Sequence, residues 1–130
     1  MKQVHNPESV RKPFGAYSHG LSLPAAGRLL VTSGQLGIGI DDTVPADIEA
    51  QAVICFEAIK AILAEAGMDF SDVVRLNGFV TRREDFPIYM AVRDRYTRDP
   101  RPVSTLVIIS GFTRAEFLVE VEATALRAEP

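Results

Sequence analysis

Arg101-Pro102-Val103-Ser104-Thr105-Leu106-Val107-Ile108-Ile109 and, after a mixed polar stretch, Phe117-Leu118-Val119-Glu120-Val121-Glu122-Ala123-Thr124-Ala125 carry the clearest structural signal in the chain. The second run alternates: Leu118, Glu120, Glu122 and Thr124 fall on one side, Phe117, Val119, Val121 and Ala123 on the other, the two-residue period of a strand. The first behaves differently. Leu106 to Ile109 is apolar on both faces, so a strand there is expected to be covered on both sides. These two strands are expected to close the fold as a hairpin across the loop from Ser110 to Glu116.

Working back from there, Val73 to Thr81 alternates as a strand, with Val74, Leu76, Gly78 and Val80 on one face. Between these strands a helix is expected from near Asp85, with Pro87 in its first turn and Ile88, Val92 and Tyr96 inward. Thr81-Arg82-Arg83-Glu84 has capping-box spacing, but a start at Thr81 would bury Pro87 inside the helix and cost a backbone hydrogen bond. From Ala46 to Ala66, apolar residues recur at Ile48, Ala52, Cys55, Ile59, Ile62 and Ala66, which predicts an amphipathic helix. Gly67 suits its left-handed stop. Residues 18 to 34 read as a β-hairpin around Pro24-Ala25-Ala26-Gly27, and residues 35 to 44 as a loop.

The resulting order is ββαβαββ, an α+β layout with a mixed sheet and two helices on one face. The other face then needs a cover, which predicts an oligomer. At 130 residues the chain has room for a single domain, residues 1–130. No apolar run approaches the length of a membrane span, and Met1 to Pro7 lacks a signal peptide's apolar core, so a cytoplasmic protein without a membrane partner is expected. A formal net charge of −3 disfavours a nucleic-acid partner. One cysteine and two histidines offer no metal-ligand spacing, and no cofactor is expected.

Several residues carry candidate chemistry. Glu120 and Glu122 lie at i and i+2 on one strand face, roughly 6.5 to 7 Å apart at the backbone, as in a two-carboxylate site or a solvated surface. Tyr17 and His19 are spaced for one strand face, and a hydrogen-bonded structural role is the default for His19. Gly34, Gly37 and Gly39 do not follow the dinucleotide-binding order and read as a loop. Cys55 occupies the apolar stripe of the first helix and reads as a core thiol.

Taken together, Gly15-Ala16-Tyr17-Ser18-His19, Ser33-Gly34-Gln35, Arg101-Pro102-Val103-Ser104-Thr105 and Leu118-Val119-Glu120-Val121-Glu122-Ala123 resemble the RidA/YjgF family, the reactive-intermediate deaminases. The similarity runs from about Pro13 to Leu126. It implies a homotrimer of chorismate-mutase-like fold with small-metabolite clefts between neighbouring subunits. It also implies that Glu120 orients a hydrolytic water, while Tyr17, Ser33 and Gly34 contact ligand.

The resemblance has gaps where deaminases hold substrate. Their motif arginine, which clamps a carboxylate, falls on Ser104, their cleft asparagine on Met90, and a cysteine of some members on Leu106. A loop about one residue longer leaves Thr105 as the other possible match for the arginine; both assignments give a hydroxyl. A hydroxyl offers one neutral donor in place of a charged planar fork, so ordinary 2-aminoacrylate deamination is expected to be weak or absent. Arg93, Arg101 and Arg114 are candidate replacement charges, exposure being the default for each. The resulting expectation is a divergent RidA-like hydrolase or deaminase of a small carbonyl, imine or enamine metabolite, the alternative being a non-catalytic trimer that binds or senses a metabolite. Ribonuclease action has little support in an acidic chain without a basic, aromatic-rich face.

Overall fold

The structure, a computed structural model, describes residues 2–128. Strands β1 (Gln3–His5) and β2 (Gly20–Ser22) form a small antiparallel pair. Strands β3 (Arg28–Val31), β5 (Val73–Val80), β6 (Val103–Ile108) and β7 (Val119–Arg127) form a mixed sheet in the order β3-β7-β5-β6, and the two-residue β4 (Gln35–Leu36) also pairs with β7. Helices α1 (Ile48–Glu65) and α2 (Phe86–Tyr96) share one face of it. None of the described helices is long and apolar enough to cross a membrane.

The helices start and stop where their chemistry dictates. Asp47 caps α1 by accepting a hydrogen bond from Ala50 N at 2.9 Å. Gly67 ends it at φ +71°, a conformation that other residues enter at a cost. Pro87 sits in the first turn of α2, where its missing N–H is harmless. A 3-10 turn over Arg83–Asp85 precedes it, and the buried Asp85 takes both arms of Arg82 at 3.0 Å.

The core lies between helices and sheet. Phe56, Ile59 and Leu63 of α1 pack on Leu76, Val80, Val119 and Val121, all fully buried. Each such side chain contributes about 1.5–3 kcal/mol through burial. Gly78 lets α2 approach, because a Cβ there would come within 2.5 Å of the Tyr89 ring. Tyr89 and Tyr96 pack against Phe56, the latter stacked at 5.1 Å between ring centres. Gln51, fully buried on α1, donates to Pro45 O and Glu116 O and accepts from Leu118 N, all at 2.8–2.9 Å. One amide thus ties the loop before α1 to the entry of β7.

Four expectations change. The closing strands are not a hairpin: β6 runs parallel to β5, β7 antiparallel to it on the other side, and β5 separates them. The physical reason is the α2 crossover, which returns the chain beside β5 in parallel, while the small and branched inward residues of β7 suit the centre of the sheet under α1. Residues 18 to 34 are not a hairpin either. β2 pairs with the short β1, and β3 pairs with β7, which seats Leu30 on the core. Gln35–Leu36, expected in a loop, pairs with Val121 and Glu120. On α2, Ile88 is 36% exposed and Tyr89 takes the inward place, because the buried stripe runs through Tyr89, Val92 and Arg93.

Candidate functional site

The register sorts the candidate residues onto two faces. Leu76 is paired with Ala123 on β7 and Ser104 on β6, and Gly78 with Val121 and Leu106, so Ser104 and Leu106 point toward the helices. Phe79 is paired with Glu120 and Val107, so these point to the opposite, open face. Glu122 and Thr105 are likewise paired with Asn77 on the open face.

On the helix side, at the outer edge of the sheet, lies a cleft of about 400 Å³ lined by Phe14, Tyr17, Phe86, Met90, Arg93, Ser104 and Leu106. This is a mainly apolar hollow with few polar groups, the usual character of a small-molecule site. The segment from Gly15 to His19 is moored beside β6: Ser18 N donates to Pro102 O at 3.1 Å and Ser18 Oγ to Arg101 O at 2.6 Å. That mooring puts Tyr17 across from Ser104. The Tyr17 hydroxyl accepts from Phe14 N at 3.1 Å, which folds Phe14 over the cleft.

Arg93 enters from α2. It is 3% exposed, and its Nη1 donates to Ser104 Oγ at 3.3 Å while Nε donates to Asp94 Oδ1 at 3.1 Å. Its guanidinium stands 5.9 Å from the centre of the Tyr17 ring, a cation–π arrangement. Nη2 is buried and has no hydrogen-bond partner among the described residues.

The second group gathers on the open face. Glu120 lies against Gly34, where a Cβ would come within 2.5 Å of its Cδ. Ser33 precedes this contact, its carbonyl taking a hydrogen bond from Gln35 Nε2 at 3.1 Å. The group thus joins the end of β3 to β7 and holds a carboxylate beside glycine backbone.

A family model described as Endoribonuclease L-PSP matches residues 8–127. The chain belongs to the RidA/YjgF family. Protein DfrA of Myxococcus xanthus is 34% identical over 127 residues, which cover 96% of this chain and 95% of that one. A putative reactive intermediate deaminase of Escherichia coli, TdcF, is 26% identical over 132 residues, covering 98% and 99%. Among solved structures, the Rid-family protein YyfB of Yersinia pestis, described as of unknown function, superposes with a TM-score of 0.85 at 27% identity, covering 97% and 98%.

Within this RidA-family fold, Tyr17, Met90 and Ser104 come together in one cleft, and Ser33, Gly34 and Glu120 in a separate cluster. Thr105 lines no part of the cleft. His19 is hydrogen-bonded: its ring Nε2 lies 2.6 Å from Arg11 O, to which it donates, and its ring meets Tyr17 edge-on. Cys55 is buried on α1, and burial, with a smaller contribution from the Glu120 charge, pushes its thiol up to about 12. Of the three arginines, Arg101 donates to Thr97 O and Oγ1 at the end of α2, and Arg114 pairs with Glu116 on the surface. Arg93, expected to be exposed, is the one in the cleft. Its inward position was readable only once Tyr89, rather than Ile88, is known to face the core. Phe14 and Phe86 were likewise not singled out in sequence, since a lone aromatic does not announce a pocket.

Proposed function

We propose that this chain is a divergent RidA-type homotrimer whose clefts, each shared between neighbouring copies, hydrolyse or deaminate a small carbonyl, imine or enamine metabolite other than 2-aminoacrylate. Glu120 handles the water, and Tyr17, Ser33, Gly34, Met90 and Ser104 shape the pocket. The observation that carries this reading is the split of the site. Tyr17, Met90 and Ser104 stand on the helix side of the sheet and Glu120 on the open face, so one copy cannot bring them to one ligand. A second copy on the open face can. That face carries Leu29 and Val31, each 68% exposed, and Val107 at 39%, apolar surface that association would remove from water.

The altered substrate follows from Ser104 and Met90. A hydroxyl and a thioether in place of a guanidinium and an amide cannot form the deaminases' bidentate carboxylate contact. The test is ammonia release from a panel of imines generated in solution by an amino-acid oxidase, with the natural chain and Glu120→Gln. Loss of general-base assistance lowers turnover by about 10²–10⁴-fold, with the trimer retained in sedimentation. Equal turnover in the two proteins refutes the role of Glu120.

A second reading rests on the helix-side cleft alone, which holds a cation and two hydroxyls but no carboxylate or histidine among its lining residues. It is a binding module. Saturable thermal stabilisation by a metabolite that forms no product supports it.

A further inference from the structure

The orphan donor of Arg93 asks for an acceptor. Burying a guanidinium without satisfying its donors is costly, and a buried donor left without an acceptor carries its full desolvation penalty. Here Ser104 takes one hydrogen of Nη1 and Asp94 that of Nε, while the buried Nη2 has no hydrogen-bond partner among the described residues. The residue packed beside it is glycine. A Cβ at Gly15 would stand 3.4 Å from Nη2 and 2.7 Å from Met90 Cε.

We propose that Arg93 is the anion anchor of this cleft, binding through Nη2 the carboxylate of a small ligand whose apolar part lies against Phe14, Phe86, Met90 and Leu106. The proposal rests on the cleft being the ligand site, as above, and supplies its ligand class: monocarboxylates with an aromatic or branched apolar substituent. A free amino acid fits less well, since its ammonium would sit among those four apolar side chains. Ser104 is then a positioning residue. Its hydroxyl accepts from Nη1 and, with Asp94 on Nε, fixes the plane of the guanidinium. The charge that the motif position lacks enters from the neighbouring helix, a turn of chain that no alignment of the motif itself displays.

The experiment is calorimetric titration of the full chain with phenylacetate, acetate and phenylacetamide. Phenylacetate is expected to bind saturably and at least about tenfold more tightly than acetate, which lacks the apolar part, or the amide, which lacks the charge. Arg93→Gln weakens phenylacetate by about 10- to 100-fold with melting temperature little changed, because the buried donor without a partner goes while the Asp94 carboxylate left behind is 37% exposed. Arg93→Lys, which keeps the charge without the planar fork, falls between.

Three results overturn the anchor: no saturable binding of phenylacetate, equal affinity for phenylacetate and phenylacetamide, or phenylacetate affinity unchanged in Arg93→Gln even if the assembly loosens. The last would make Arg93 an interface ion pair. The acid–amide comparison in the natural chain decides the matter even where Arg93→Gln does not fold. The two proposals fail separately, since unchanged turnover in Glu120→Gln refutes the water-handling role while the acid–amide comparison in the natural chain still decides the anchor.

Discussion

The carboxylate of Glu120 occupies the space that a side chain at residue 34 would need. A Cβ on Gly34 would come within 2.5 Å of Glu120 Cδ, and Gly34 does not adopt the left-handed conformation that would call for glycine on its own account. The glycine is there for room. It lets the end of β3 close on β7 while the acid stays against backbone.

Gly34→Ala therefore displaces Glu120 without disturbing the core, since Glu120 sits on the open face away from Val119 and Val121. Imine turnover is expected to fall to the level of Glu120→Gln, with a stability change within about 1 kcal/mol in urea denaturation. Full turnover in Gly34→Ala would show that the observed placement of the acid is not the working one.

Ser104 and Arg93 cannot both be arginine at low cost. Their side chains are 3.3 Å apart in a buried edge of the cleft, so Ser104→Arg sets two guanidiniums against each other. Ser104→Arg alone is expected to destabilise by about 1–3 kcal/mol, and Arg93→Ala to relieve most of that. A double-mutant cycle should show coupling of at least about 1 kcal/mol. On 2-aminoacrylate the natural chain and Ser104→Arg are both expected to be poor, and the double variant better than either. Robust turnover by the natural chain would contradict the reading of Ser104.

Cys55 makes stability fall at high pH. Burial holds its folded-state value at about 12, above the ordinary 9.0. The neutral thiol is favoured in the fold, so its contribution is complete below about pH 9 and is lost as pH rises toward 12, because the unfolded chain ionises first. The slope is about 1.4 kcal/mol per pH unit. Unfolding free energies at about pH 8 and about pH 10 should therefore diverge more for the natural chain than for Cys55→Ala. Parallel pH dependences would place the thiol in contact with solvent.

Local pattern carried much of this. The alternation of Val119, Val121 and Ala123 against Glu120 and Glu122 reads directly as a strand with one core face, and the structure has those faces. The stripe through Ala52, Cys55 and Ile59 and the stop at Gly67 likewise define α1. Failures came where partners are distant. Pro24 to Gly27 looks like a hairpin turn, yet Leu29 and Leu30 pair with Leu126 and Ala125, almost a hundred residues away. Gln51 gives no sequence sign that it will bind Pro45, Glu116 and Leu118 at once.

The chain's own order of residues determines its family and the inward and outward faces of its strands. Periodicity encodes which side of an element is buried, since that depends only on the geometry of the element itself. Which strands become neighbours is set by the packing of the whole sheet. Tertiary structure alone decided that β5 separates β6 from β7, that Ser104 and Glu120 face opposite ways, and that Arg93 of α2 reaches the hydroxyl of Ser104.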